Sequence, residues 1–362
     1  METINIKNVQ LSPISKQRIY AAKSAHTTRR VNKDAIETLI SGKITPKCGD
    51  VVLARVISIG HHKRLELING RKAPLFVNDE IIVSFGHRYA PDQFEAHVPT
   101  QLEECHLVAA GGIASQCLSR HREINTPTAI EPLGLLGNKS GHAINLRDWA
   151  LPAIQTTKPR PFIIAVAGTS MNAGKTTTAA HLIQGLTKSG MQVGAAKITG
   201  TGAGGDTWLM KDSGAREVFD FTDAGLVSTY KAKPDELHHV TKTLVNHLCQ
   251  LDVDAIVLEV ADGLYQEETS TLLQSATFRH KIDGLIFAAG DAMGAYAGVQ
   301  WLIEHQLPVI GISGCVSSSP LASREATQVS GLPVFSLEHL ASEEICIDVI
   351  GQHNINMTGT NQ

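Results

Sequence analysis

An α/β domain with a mostly parallel sheet, preceded by a smaller β-rich domain, is the fold class that this sequence predicts. Three observations carry that reading. After Pro161, short apolar runs alternate with longer helical segments, the pattern of repeated βα units whose strands are covered on both faces. Between Cys48 and Phe85, runs rich in Val and Ile are separated by turn residues, as in short antiparallel strands. Between these regions, Pro152, Lys158-Pro159 and Arg160-Pro161 interrupt regular structure and mark a boundary. The expected division is a β-rich domain over 1–150, a second domain over 160–345 and a tail over 346–362.

The chain has 362 residues, more than one ordinary core accommodates, which suggests about two domains. Hydrophobic residues make up 43% and charged residues 19%, the profile of a soluble globular protein. A net charge of −3 gives no electrostatic argument for binding nucleic acid or an anionic membrane. No apolar run approaches the roughly 18 residues that span a bilayer. The N-terminus lacks the apolar core of a secretory signal. Cys48, Cys105, Cys117, Cys249, Cys315 and Cys346 are scattered, with no C-x-x-C pair, and read as reduced, mostly buried thiols. The expected compartment is the cytoplasm, with neither nucleic acid nor membrane as partner.

In the first domain a helix is expected around Asp34–Leu39. Strands are expected at Asp50–Ile57, Arg64–Ile68 and Ile81–Phe85. With turns at Asn69-Gly70 and Asn78-Asp79, they suggest a small antiparallel barrel or sandwich. Residues 86–158 are harder to read: many Gly, Pro and His residues are followed by Ala129–Leu136 and a polar stretch from Gly137 to Gly141. In the second domain, strands are predicted at Phe162–Ala167, Gln192–Ile198, Ala255–Val260, Gly284–Ala288, Pro308–Ile312 and Pro333–Phe335. Helices are predicted at Gly174–Ser189, Pro234–Gln250, Met293–His305 and Ser319–Val329.

The first of these βα turns reads Gly168-Thr169-Ser170-Met171-Asn172-Ala173-Gly174-Lys175-Thr176, with Thr177 following. It comes after the apolar strand FIIAVA and opens the helix GKTTTAAHLIQGL. There, backbone N–H groups of the loop and helix N-terminus point at an anion, and the helix dipole adds attraction. Lys175 can reach β- and γ-phosphates and Thr176 offers a hydroxyl to Mg²⁺. The spacing is one residue longer than G-x-x-x-x-G-K-[ST] when counted from Gly168.

This loop, G-T-x-x-x-x-G-K-T, resembles that of P-loop NTPases of the group containing dethiobiotin synthetase, cobyrinic acid a,c-diamide synthase and the molybdopterin-guanine dinucleotide protein MobB. Two further segments are similar. Ala195-Ala196-Lys197-Ile198-Thr199-Gly200 resembles the strand end where that group has Lys-Pro, with Ile198 in place of proline. Leu258-Glu259-Val260-Ala261-Asp262-Gly263-Leu264-Tyr265 resembles the E-G-x-x-G-L-Y turn, with Val260 in place of glycine. The resemblance covers roughly 160–315. It implies Mg²⁺ with ATP or GTP, a small-molecule substrate, and a site of the kind that relatives commonly place at a homodimer interface. Lys197 would meet phosphate or substrate, Glu259 would hold Mg²⁺, and Asp206 would be a second Mg²⁺ ligand. A looser resemblance links the chain to an uncharacterised P-loop family that includes a proposed D-glutamate N-acetyltransferase.

Residue chemistry supports the same positions. Glu259 ends the apolar strand AIVLEV, and a carboxylate at the carboxyl edge of a buried parallel strand sits at the ligand crevice. Gly200–Gly205 also fits the dinucleotide pattern G-x-G-x-x-G. A flexible loop that lets Lys197 and Asp206 approach the phosphates explains it better, because the preceding βα unit already supplies a phosphate loop. The cluster Asp220–Gly225 reads as a turn and helix cap, or else as a contact for the acceptor substrate. His61-His62 and His238-His239 lack partners at metal-ligand spacing and read as exposed or packing residues. Cys315 reads as a buried, inert thiol, and Ser317–Ser319 as a cap for the next helix. The loop Arg88-Tyr89-Ala90-Pro91-Asp92-Gln93 is an ordinary surface loop or a substrate lid. No Asn-Lys-x-Asp loop for guanine is present, which leans toward ATP.

The leading expectation is an ATP-dependent kinase or ligase-like enzyme. It would transfer a phosphoryl group to a small carboxylate or carbamate and so activate it for ligation or amidation. A nucleotide-gated binding or assembly factor of the MobB kind is the alternative from a different class, and an acyltransferase on a P-loop scaffold is the third.

Overall fold

The computed structural model describes residues 4–6 and 9–350. Contacts divide the chain into two units. The first comprises Met1–Pro152 together with Thr201–Gly205 and Phe221–Lys231, and the second holds the remainder from Ala153.

In the second unit, five apolar runs and one mixed edge strand form a parallel sheet. Its strands are β1 (Phe162–Gly168), β2 (Val193–Lys197), β3 (Glu217–Asp220), β4 (Ala255–Glu259), β5 (Gly284–Ala288) and β6 (Val309–Ser313), in the spatial order β3-β2-β4-β1-β5-β6. Helices α1 (Lys175–Lys188), α2 (Gly205–Asp212), α3 (Pro234–Cys249) and α4 (Ala292–Glu304) lie in the connections, and α5 (Pro320–Ser330) follows β6. On α1, Ala179, Leu182, Ile183 and Leu186 fall at helical spacing and join Ile164 and Val166 of β1 in one buried core. Burying each of the three larger side chains contributes about 1.5–3 kcal/mol. The chain leaves β1, passes over β4 to reach β2, and later returns to β5 on the other side. A ligand crevice lies at such a reversal, beyond the carboxyl ends of the strands.

Three expectations need correction here. Pro333–Phe335 makes a single parallel bridge, Ile312 with Val334, rather than a strand; Pro333 has no N–H to extend a ladder. The edge strand β3 was not predicted, because Val218 and Phe219 are its only apolar residues. Residues 346–350 are not a free tail. They are helical, and Val349 is buried in the same core as Ile345. The rest of the expected tail, 351–362, lies outside the described residues.

The first unit is β-rich, as its sequence implies. Thr128–Gly137, Val51–Ser58, Glu80–Phe85, Ile113–Arg120 and Cys105–Ala109 pair in succession, and the last pairs again with the first. This circuit closes a five-stranded barrel and leaves those strands without a free run of edge. One pair, Glu80–Phe85 with Ile113–Arg120, is parallel. Val51 and Leu53 point to one core while Val52, Ala54 and Val56 point to another. Both faces of its first half are therefore buried, which is why residues 51–54 read as a continuous apolar run. The predicted helix around Asp34–Leu39 is instead a short 3₁₀ turn, Lys33–Ala35, followed by the strand Thr38–Gly42. The barrel draws Thr38 and Leu39 into pairing with Gly137 and Leu136, and this overrides local helix propensity.

His62 packs against Phe94 at 5.8 Å, and its Nε2 lies 2.9 Å from the Val108 carbonyl. Burial, followed by the Arg88 charge, lowers its pKa from 6.5 to about 4. The folded state therefore resists a proton that the unfolded chain accepts. The resulting stability is fully present above about 6.5 and is lost as pH falls toward about 4. An NMR titration should find His62 neutral throughout pH 7 to 5; a midpoint near 6.5 would contradict its burial.

Candidate functional site

The loop between β1 and α1 is held in an unusual backbone path. Asn172 has φ 64° and Gly174 φ 96°, both in the left-handed region. A Cβ on Gly174 would lie 2.8 Å from the Gly314 Cα, so the loop sits against the turn that follows β6. Cys315 N donates to the Ala173 carbonyl at 3.0 Å, and Cys315 Sγ lies 3.3 Å from the Asn172 carbonyl. Thr169 N donates to the Ala288 carbonyl at 3.0 Å and ties the loop to the end of β5. Gly168 is equally confined, since a Cβ there would lie 2.8 Å from Lys175 Cγ. Thr177 is in the first turn of α1, where its carbonyl accepts from His181 Nδ1 at 2.8 Å.

Lys175 is buried, and its Nζ donates to the Ser170 carbonyl at 2.6 Å. Burial lowers its pKa, against the pull of Glu259 and Asp262. Thr176 Oγ1 donates to Glu259 Oε1 at 2.9 Å. Lys197 Nζ lies 3.9 Å from the same oxygen and is ion-paired with Asp206. β2 and β4 are adjacent, with Lys197 opposite Glu259, so the sheet register itself sets these two side by side. The four predicted residues form one chain of contacts, Thr176–Glu259–Lys197–Asp206.

The charges are strongly coupled. For Lys197, burial by itself would lower the pKa, but Glu259 and Asp206 together outweigh it and hold the ammonium above its ordinary value. For Glu259, burial raises the pKa, and Lys197 offsets only part of the rise. Glu259 Oε2 is buried and makes no hydrogen bond. An ionisable oxygen left in that state is costly unless something occupies its lone pairs. A Mg²⁺ ion beside the Thr176 hydroxyl fits this donor set, since Mg²⁺ takes one or two carboxylates and completes its shell with waters and phosphates. Among the described residues no three His, Cys, Asp or Glu side chains gather as a protein-only metal cage. Asp206 is directed at Lys197, so it belongs to the cluster through that ion pair.

The residue reading missed a role for Asp262. It has φ 66°, rare for a residue with a side chain, and its charge acts on both Lys175 and Lys197. Its signal was an acid directly before Gly263, at a variable position of the turn similar to E-G-x-x-G-L-Y. Other expectations need correction. Cys315 is exposed, and only Cys105 and Cys249 of the six thiols are buried. Ser319 caps α5 as expected, accepting from Ala322 N at 3.3 Å. Gly200–Gly205 is not an open flexible loop. Gly202 N donates to the Val227 carbonyl at 3.0 Å and Gly204 N to Glu66 Oε2 at 2.8 Å, so a carboxylate already occupies the place a dinucleotide phosphate would need. Thr222 and Asp223 bind Arg29, with Asp223 Oδ2 2.6 Å from its Nη2, which makes that cluster a structural clasp of the first unit.

A Cβ on Gly204 would lie 2.7 Å from His26 Nδ1 and 3.0 Å from Glu66 Oε1, and both side chains are buried. Gly204→Ala should therefore destabilise the protein by about 1–3 kcal/mol. Urea unfolding would show this as a lower midpoint, and an unchanged midpoint would refute the packing.

A family model for "Molybdopterin guanine dinucleotide synthesis protein B" (MobB) matches residues 163–269, from β1 through the turn after β4. No curated protein matches the chain. Among solved structures, the Signal Recognition Particle 54 kDa protein from Aeropyrum pernix K1, in complex with GDP, is 16% identical, with TM-score 0.37 over 57% of this chain and 50% of that one. The signal recognition particle receptor FtsY from Elizabethkingia anophelis, in complex with GDP, is 14% identical, with TM-score 0.34 over 54% of this chain and 55% of that one. The cell division protein FtsY from Thermotoga maritima is 16% identical, with TM-score 0.32 over 55% and 74%. The chain spans about half the length of the first two. Likenesses this loose carry no argument about activity. The second unit has the α/β fold of a P-loop nucleotide-binding domain, and its residues 163–269 are similar to MobB. Among the described residues no helix is long and apolar enough to cross a membrane.

Proposed function

We propose that the β1–α1 loop binds a nucleoside triphosphate with Mg²⁺, and that the domain transfers the terminal phosphoryl group to a small carboxylate or carbamate. The observation that supports the first half is the partnerless Glu259 Oε2 beside the Thr176 hydroxyl, at the foot of the loop. The N–H groups at the N-terminus of α1 face the phosphates. Lys175 exchanges the Ser170 carbonyl for a phosphate oxygen. Thr176 and Glu259 hold Mg²⁺, which when bound neutralises phosphate charge. Asp206 would supply a further carboxylate to the ion, and Lys197, which pairs with it, would stabilise charge on the transferring group. The acceptor class rests on the resemblance to dethiobiotin synthetase, and cytoplasmic placement and a homodimeric assembly belong to the same proposal.

The MobB match favours a second reading, a GTP-gated binding or assembly factor. Phosphate release measured with Mg²⁺ and ATP or GTP, with and without a panel of dicarboxylic acids and diamines, separates the two. Release from ATP that rises sharply with one panel compound supports transfer. Slow release from GTP that no compound changes removes the transfer half and leaves the gated factor. Coenzyme A release from acetyl-CoA without nucleotide cleavage would identify an acyltransferase instead.

A further inference from the structure

The loop Arg88–Gln93 and the segment ending at Tyr230 meet within the first unit, around a cavity of about 370 Å³. That volume lies at the small end of ligand sites, roughly 300–1,000 Å³. Tyr89 and Tyr230 form one wall, with ring centroids 5.5 Å apart and planes tilted by 47°. Gln93, Glu95, Ser119, Arg120 and His121 supply polar groups to the lining, and His121 Nδ1 is engaged by the Glu123 N–H at 3.3 Å. We propose that this cavity binds a neutral polyhydroxylated ring, a monosaccharide unit.

Each polar group is oriented by a neighbour. Strand register places Glu95 opposite Ser119, and Ser119 Oγ donates to Glu95 Oε2 at 3.1 Å. Gln93 Oε1 accepts from Arg88 Nη2 at 2.8 Å, which fixes the amide and leaves its NH₂ group as donor. Arg120 Nη1 donates to the Ile124 carbonyl, and its remaining N–H groups form a fork. The lining therefore offers a carboxylate acceptor, amide and guanidinium donors, and an aromatic face.

These groups discriminate among ligand classes. In the lining itself Glu95 and Arg120 carry opposite charges, so an anion would meet Glu95 and a cation would meet Arg120; Lys231 stands outside it, its Nζ 5.7 Å from the Tyr230 ring, and Arg88 is engaged by Gln93. His97, whose ring lies 6.1 Å from that of Tyr230, and His87 beside it add no charge near neutral pH: burial, then His97 and Lys231, lower His87 to about 4, and burial, then Lys231, lower His97 against the pull of Glu95. A wholly apolar ligand would bury the polar groups without partners, at a cost. A sugar ring meets every requirement. Its hydroxyls each donate and accept, adjacent pairs match a carboxylate or a guanidinium fork, and its C–H face packs on tyrosine. All these residues belong to the first unit, so the proposal stands apart from the reading of the phosphate loop.

Saturation-transfer NMR on the full chain with D-glucose, D-galactose, D-ribose and N-acetylglucosamine tests it, with L-glutamine, L-tyrosine and benzoate for contrast. At least one sugar should bind in the millimolar range. Tyr230→Leu and Glu95→Ala should each weaken it about tenfold. Tyr230→Phe should retain binding, and Lys175→Ala should leave it unchanged. Circular dichroism identifies a variant that fails to fold, and the other then carries the test. The proposal is overturned if no sugar binds, if binding survives in both folded variants, or if the amino acids or benzoate bind in place of the sugars.

Discussion

Lys175→Ala loses the stabilisation that ATP or GTP with Mg²⁺ gives the wild-type protein; that is the largest effect expected here. A ligand at a hundredfold excess over its Kd stabilises the native state by about 2.7 kcal/mol, which moves a thermal midpoint by several degrees. Lys175 is the buried cation at the start of α1, and it already curls back to a carbonyl of the loop. Removing it deletes the charge that phosphate would meet but leaves intact the backbone ties of Thr169 to Ala288 and of Cys315 to Ala173. The ligand-free variant should therefore unfold near the wild-type temperature. Thermal unfolding of both proteins with ATP, GTP, NAD and acetyl-CoA in turn gives the answer and identifies the nucleotide. A nucleotide shift that persists undiminished in Lys175→Ala would remove the loop from the site. A shift with NAD or acetyl-CoA alone, indifferent to Lys175, would point to another ligand class.

The second large effect is on Mg²⁺. Glu259→Gln keeps the side-chain shape and the oxygen that accepts from Thr176, but replaces the partnerless carboxylate oxygen with an NH₂ group that repels a cation. The Mg²⁺ concentration for half-maximal nucleotide binding should rise at least about tenfold, equivalent to about 1.4 kcal/mol. Lys197 keeps Asp206 as a counter-charge, so the fold should survive the change. Nucleotide binding titrated against Mg²⁺ in both proteins is the measurement, and equal Mg²⁺ dependence would take Glu259 out of the metal site.

The sequence by itself determined the parallel sheet, four of the helices, the phosphate loop and the residue types around it. These features are local. An apolar strand run into a glycine-rich turn and a capped helix is specified by neighbours along the chain, and Lys175 and Thr176 follow from their place at the helix start. Only the tertiary structure decided what those residues touch. The register of β2 beside β4 places Lys197 next to Glu259, across 62 residues of sequence that carry no local signal of it. Asp206 turns to Lys197 because a buried ammonium needs a counter-charge, and that need appears only after folding has removed the water. The barrel is the same lesson in a longer range. Cys105–Ala109 and Thr128–Gly137 show no clean period, because closure buries residues on both of their faces and erases the alternation that would have marked them as strands. The glycines of 200–205 matched a phosphate-binding pattern, yet Glu66, distant in sequence, already takes the Gly204 N–H. A short motif specifies backbone freedom, and packing decides how that freedom is used.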